Sequence, residues 1–301
     1  MNGEARVLPF APALYRNDGH GTFTDVTVES GLNVSVGSMS SNYADLDLDG
    51  YPEILLGNGG PPLTRIEAAS LFFNEGGRFV EGARESGLVA LLKSHSLPVA
   101  DFDLDGDLDV AISMGGAYQG DLLPNLLFEN QGTRNHWLAL WLQGSESNRD
   151  GIGATITVRT SSGAQLHQVA GGVGFGTTQY PPLMIGLGTA ERADEVRIEW
   201  PSGREQSFRH VPSDRRLIVR ESGDRLEPYL IDRRPLTPHP GSFVSKRSVG
   251  ERTCCVFPDR RWSGHTFSNH RFLSQDFPIR HRPSTASRPC WPERRLYRPS
   301  N

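Results

Sequence analysis

The chain has 301 residues, 37% hydrophobic and 9% aromatic, with a net charge of −4, and its 33 Gly and 21 Pro favour strands and turns over helices. That length allows two domains, each with a core of its own. No apolar run approaches the roughly 20 residues needed to span a membrane, and Met1-Asn2-Gly3-Glu4-Ala5-Arg6 lacks the basic start and apolar core of a signal peptide.

The net charge hides an asymmetry. Residues 222–301 hold 15 Lys and Arg against 7 Asp and Glu, so the 31 and 35 of the whole chain leave 16 and 28 before position 222. The body is acidic and the tail basic. Cys254, Cys255 and Cys290 all lie in the tail, so the body rests on no disulfide and carries no mark of a redox compartment.

In chain order, the first distinctive stretch runs from Ala44 to Glu53. With Asp45 as position 1, acids fall at positions 1, 3, 5 and 9 (Asp45, Asp47, Asp49 and Glu53), and Gly50 takes position 6. The pattern returns 56 residues later as Asp101, Asp103, Asp105 and Asp109, with Gly106 at the sixth place. Four carboxylates in nine residues repel one another unless a cation sits among them. Hard oxygens in that number suit Ca²⁺, which takes six to eight ligands at about 2.3–2.6 Å. The glycine supplies the left-handed turn, and the carbonyl of position 7, Tyr51 or Asp107, is a natural backbone ligand. An EF-hand is excluded, because position 12 is Leu56 or Ile112 where that loop needs Glu. The alternative is a solvated acidic turn, against which stands the identical spacing of two copies.

The flanks of both loops are short apolar runs bounded by glycine, which read as strands, so each loop joins two strands of a hairpin. Other markers keep the same 56-residue step: Glu29-Ser30-Gly31-Leu32 with Glu85-Ser86-Gly87-Leu88, Phe23 with Phe79, and Leu71 with Leu127. Each unit reads as strand, acidic loop, strand, a Leu-aromatic-Asn strand and a Phe-centred strand, which is the arithmetic of a β-propeller blade. The units resemble FG-GAP/VCBS repeats, the calcium-loop blades also found in integrin α-subunit propellers. The resemblance implies Ca²⁺ on the acids Asp45, Asp47, Asp49 and Glu53, and on Asp101, Asp103, Asp105 and Asp109, to which the position-7 reading adds the carbonyls of Tyr51 and Asp107. The first loop departs from the family pattern in having Glu53 for the usual Asp.

The periodicity changes at Asn135. His136–Leu142 is a strong strand, followed by Asn148-Arg149-Asp150-Gly151-Ile152-Gly153-Ala154, strands at 155–160 and 165–170, Gly186-Leu187-Gly188, and Trp200-Pro201-Ser202-Gly203. These motifs resemble the ASPIC/UnbV domain over about residues 134–221. Repeats followed by this domain are the layout of the cartilage acidic protein family. Asn148, Arg149 and Asp150 read either as a surface recognition site or as a turn whose Asn and Asp bond nearby backbone. Trp200 is assigned to the core.

After Glu221 no sustained period of 2 or 3.6 remains. The Arg-, Pro-, His- and Ser-rich tail, residues 222–301, reads as disordered or as the product of a shifted reading frame. Nucleic-acid binding by its basic charge is the minor alternative, to be tested by deleting the tail and following binding against salt. Cys254-Cys255 with His265 and His270 has no zinc spacing.

No catalytic set emerges. Gly172-Val173-Gly174-Phe175-Gly176 lacks the strand and helix that frame a dinucleotide loop, the histidines are scattered, and no serine sits in Gly-x-Ser-x-Gly. The expectation is therefore all-β: partial β-propeller blades over residues 1–133, a β-sandwich-like ASPIC/UnbV domain over 134–221, and a disordered tail. The expected function is a calcium-binding, non-enzymatic adhesion, interaction or scaffolding module with an unknown protein or glycan partner. It is expected to bind no nucleic acid and to be extracellular or periplasmic by resemblance. The alternative is an enzyme, or an accessory to one, acting on a small molecule through the second domain. Two blades would leave open edges, so the chain is also expected to be a piece of a longer protein or a truncated gene product.

Overall fold

The computed structural model describes residues 12–60, 65–88, 91–115, 125–178, 181–230 and 262–267. The secondary structure is almost wholly strand. The repeat region begins with β1 (Tyr15–Asn17), β2 (Phe23–Asp25), β3 (Ser38–Ala44), β4 (Glu53–Asn58), β5 (Glu67–Ala68), β6 (Ser70–Asn74) and β7 (Phe79–Glu81). A single helical turn, α1 (Ala83–Ser86), precedes β8 (Leu91–Leu92), β9 (Ser94–Ser96), β10 (Val99–Ala100), β11 (Asp109–Met114) and β12 (Asn125–Asn130).

The apolar runs Ile54-Leu55-Leu56 and Val110-Ala111-Ile112 become β4 and β11. Each is flanked by strands on both sides, in the orders β3-β4-β6-β7 and β10-β11-β12. The duplication extends to the register of pairing. Ala44↔Glu53, Ile54↔Phe72 and Leu55↔Leu71 return as Ala100↔Asp109, Val110↔Phe128 and Ala111↔Leu127. Leu55, Leu71, Val110, Ile112 and Phe128 then share one buried core between the two sheets. No closed propeller is formed by the described residues.

A further half-unit precedes these two. In β1–β2, Tyr15↔Asp25 and Asn17↔Phe23 reproduce Phe72↔Glu81 and Asn74↔Phe79 of β6–β7. Leu14-Tyr15-Arg16-Asn17 therefore stands where Leu71-Phe72-Phe73-Asn74 stands one unit later. The step from Asn17 to Asn74 is 57, not 56, because the turn to Phe23 is one residue longer. That insertion hides the half-unit from a fixed-period reading.

The second body is a sandwich. Its strands are β13 (His136–Gln143), β14 (Thr155–Thr160), β15 (Gly163–Gln168), β16 (Leu183–Gly188), β17 (Arg192–Glu199), β18 (Glu205–Pro212), β19 (Arg215–Arg220) and β20 (Leu226–Pro228). They form two four-stranded sheets, β16-β13-β19-β20 and β15-β14-β17-β18. Alternate residues point inward: Leu138, Leu140 and Leu142 of β13 and Leu217 and Val219 of β19 meet Ile156 and Val158 of β14 and Val196 and Ile198 of β17. Trp200 is buried, with its indole N–H donating to Gln206 Oε1 at 2.7 Å.

Two expectations need correction. The sandwich does not stop at Glu221, because β20 pairs with β19 through Val219↔Leu226. The tail is not devoid of structure either: β21 (Trp262–Phe267) adds to β12, so the second repeat sheet reads β10-β11-β12-β21. The second unit accordingly lacks a sequential Phe-centred strand, since the chain turns into β13 instead. Trp262 pairs opposite Asn130 as Phe79 does opposite Asn74. The strand β21 pairs along the free edge of β12, and no local period announces it. Cys254, Cys255, Cys290 and His270, and the rest of the tail beyond 230, lie outside the described residues.

Leu55 is 0% exposed and Leu166 is 73% exposed. Leu55→Ala should therefore lower unfolding free energy by about 2–5 kcal/mol, and Leu166→Ala by less than about 0.5 kcal/mol, in paired denaturant titrations.

Candidate metal centres

The first loop bridges the end pair of β3 and β4. Leu48, with φ of 60°, and Gly50, with φ of 97°, are both left-handed and fold it back. Short bonds fix its shape: Asp45 Oδ2 accepts the Gly50 N–H at 3.0 Å, Asp47 Oδ1 that of Asp49 at 3.3 Å, and Asp49 Oδ1 that of Tyr51 at 2.8 Å. Glu53 is fully buried, with Oε2 accepting the Leu46 N–H at 2.6 Å.

The second loop repeats the design. Leu104 (φ 65°) and Gly106 (φ 114°) take the left-handed positions. Asp103 Oδ1 accepts the Asp105 N–H at 3.1 Å, Asp105 Oδ1 that of Asp107 at 3.0 Å, and Asp109 Oδ2 that of Phe102 at 2.9 Å. Asn130 ties the loops together, its side-chain amide donating to Leu46 O at 2.9 Å and Leu108 O at 3.2 Å.

Two trios converge: Asp45, Asp47 and Glu53, and Asp101, Asp103 and Asp109, each with carboxylate oxygens all within 4.8 Å of one another. Asp49 and Asp105 stay in the loops but outside these trios. Tyr51 presents an exposed ring, and the Asp107 carboxylate accepts the Thr133 N–H.

Burial of these acids is electrostatically costly. Desolvation, then repulsion from Asp49 and Asp47, raises Asp45 to about 7. Desolvation, then repulsion from Asp47 and Asp45, raises Glu53 to about 9. In the second loop burial lifts Asp109 to about 7 and Asp107 to about 6. Asp45 Oδ1, Glu53 Oε1 and Asp101 Oδ1 are buried with no hydrogen-bond partner among the described residues. All-oxygen donors, mutual repulsion and orphaned buried oxygens are what a hard divalent cation relieves.

Both loops face the sandwich. Leu48 O accepts the Gly188 N–H at 2.9 Å, and Asp47 O accepts the Asn135 side-chain amide at 2.8 Å. A Cβ on Gly106 would lie 2.6 Å from the Trp137 indole nitrogen, so the second loop rests directly on that ring. Arg216 stacks 4.9 Å above Trp137 and pairs with Asp101.

Residues 144–226 match the ASPIC and UnbV family. Human cartilage acidic protein 1 is 32% identical over 165 residues, 53% of this chain and 24% of that protein. The mouse protein of the same name is 35% identical over 124 residues, covering 41% of this chain and 18% of the relative. The chain thus spans about a quarter or less of the length of these curated relatives.

Within the matched region Glu221 joins the segment just before the Asn-Arg-Asp-Gly motif to Ser202 of the Trp-Pro-Ser-Gly turn. One carboxylate oxygen accepts the backbone N–H groups of Ser145, Glu146 and Ser147 at 2.6, 2.8 and 2.8 Å; the other accepts the hydroxyls of Ser147 and Ser202, each at 2.6 Å. Burial pushes this carboxyl up, but the donors outweigh it and hold the pKa well below the usual range. Sequence reasoning missed Glu221, whose only signal was its place beside a strand end. Asn148 bonds the Ile152 backbone in both directions, at 2.7 and 2.8 Å, while Arg149 pairs with the adjacent Asp150 at the surface.

A cavity of about 780 Å³ lies between loops and sandwich, lined by Tyr43, Tyr51, Phe102, His167 and Met184 among others. Burial lowers His167 to about 4, and its Nε2 lies 3.0 Å from Gln165 Oε1. A neutral, bonded imidazole of that kind is a poor general base at pH 7. His136, Ser213 and Asp214 also cluster, but Ser213 Oγ and Asp214 Oδ2 both address Nδ1, so no proton relay crosses the ring.

Asp45 and Glu53 are both raised, to about 7 and about 9. The folded chain holds protons that the unfolded chain has lost, so in chelator the stability they contribute is full below about pH 4 and is lost as pH rises through about 7 to 9. Thermal unfolding in chelator should give a higher Tm at pH 5 than at pH 8, and saturating Ca²⁺ should flatten the difference. Separately, Glu221→Ala should cost the sandwich at least the ~1.5–3 kcal/mol of one charge-assisted hydrogen bond, while Arg149→Ala should be nearly silent in the same chemical-denaturation assay.

Proposed function

We propose that the chain is a calcium-binding, non-enzymatic interaction module built from FG-GAP/VCBS-type blades and an ASPIC/UnbV-type sandwich. The reading is carried by the orphaned carboxylate oxygens of Asp45, Glu53 and Asp101, set in two loops that repeat in sequence, register and backbone conformation. Asp45, Asp47 and Glu53 would hold one ion, and Asp101, Asp103 and Asp109 the other. Asp49, Asp105 and the carbonyls of Tyr51 and Asp107 are available to complete them. A bound Ca²⁺ supplies the positive charge that lets these acids be buried together.

The curated relatives are named for cartilage and for acidity, and this chain has an acidic body, which supports a setting outside the cytoplasm where calcium is plentiful. Among the described residues no helix is long and apolar enough to cross a membrane. The partner is a protein or glycan. The wall of the cavity, with its half-exposed Tyr43, Tyr51 and Phe102, is suited to stacking against either.

Calorimetric Ca²⁺ titration and thermal unfolding of the full chain test the reading. Binding of two ions should raise Tm with free calcium by mass action, and Asp47→Ala and Asp103→Ala should each remove one site. Equal responses to Ca²⁺, Mg²⁺ and chelator would count against it.

A further inference from the structure

The first aspartates of the two loops divide their oxygens in the same way. Asp45 Oδ2 accepts the Gly50 N–H and lies against Gly186 of β16, whose own N–H bonds this carboxylate. Asp101 Oδ2 is paired with Arg216 of β19. In both residues Oδ1 is left buried and unpartnered among the described residues. One oxygen of each carboxylate is held by the sandwich, and the other is left over beside the remaining acids of its trio.

We infer that ion occupancy of the loops governs the docking of the repeat sheets on the sandwich, because cation and sandwich hold opposite oxygens of the same two aspartates. This rests on the calcium reading above. The loop also offers backbone to the sandwich: Leu48 O to the Gly188 N–H and Asp47 O to Asn135. Those carbonyls are presented only while the loop keeps its wrapped shape, and without a cation the crowded carboxylates push it open. The fit leaves no slack, since a Cβ on Gly186 would overlap Asp45 Oδ2 and come within 2.5 Å of the Leu48 carbonyl carbon. Only glycine lets β16 approach so closely. By contrast, the centre of the sandwich, at Ile156 and Val196, is buried among its own strands and needs nothing from the loops. Coupling between ion and docking is reciprocal, so weakening the junction must weaken ion binding.

Hydrogen exchange on the full chain, in millimolar Ca²⁺ and in chelator, reads the junction directly, with calorimetry counting bound ions alongside. Chelation should strip protection from the Gly188 amide while the Ile156 and Val196 amides keep theirs. Gly186→Ala should weaken Ca²⁺ binding at least tenfold at one site. Asn135→Ala, a milder change that leaves every candidate ligand in place, should weaken binding severalfold and reduce the calcium-dependent protection of Gly188. If ions bind but Gly188 protection ignores them, or if Gly188 and Ile156 open together, the junction is not calcium-governed and the calcium reading survives alone. If calorimetry of the unaltered chain registers no ion, the calcium reading falls and this inference with it.

Discussion

The structure depends on the burial of carboxylates close beside one another. Glu53 is fully buried at the mouth of β4, and Asp45 and Asp47 are buried close by. In the second trio Arg216 pairs with Asp101, and in the first Asp45 Oδ1 and Glu53 Oε1 are buried with no hydrogen-bond partner among the described residues. In a low-dielectric setting such a group either takes up protons or takes up a cation. The hairpins of the repeat region close on that choice, and the sandwich is seated on the hairpins.

The two loops are copies in backbone and differ in what completes them. At the last acid, Asp109 has both oxygens engaged, by the N–H groups of Phe102 and Asn130. Glu53 engages one, with Leu46, and leaves the other bare. The longer side chain thus carries an extra free oxygen into the first site. The first site is also the more enclosed: its trio is buried throughout, whereas Asp103 is exposed. The loops share a plan without being interchangeable.

Much of this was legible in the sequence because the signals are local. Acids at alternate positions, a glycine at the sixth, and apolar triplets after the loop fix hairpin, turn and central strand without reference to distant residues. What was not legible is non-local. Glu221 gathers its donors from Ser145–Ser147 and from Ser202, and a lone Glu at a strand end carries no pattern. Gly186 reads as one glycine among many until Asp45 and Leu48 are seen against it. Leu48 and Leu104 are both left-handed despite their side chains; Leu48 is fully buried, and its burial outweighs the backbone preference. The half-unit at β1–β2 was masked by a single inserted residue, and β21 by the distance between β12 and the tail.

The pairing of β13 with β19 is parallel, Leu138 lying beside Arg215 and Leu142 beside Val219. Two strands joined in that sense must be brought together across everything between them, so the sheet has a high contact order and closes late. At ribosomal speeds the roughly 75 intervening residues take on the order of ten seconds to emerge. Through that interval Leu138, Leu140 and Leu142 have their antiparallel neighbour, β16, only once residue 188 has appeared. The apolar face of β13 therefore stays uncovered in a nascent chain until those partners emerge, and the rate of synthesis sets how long it waits.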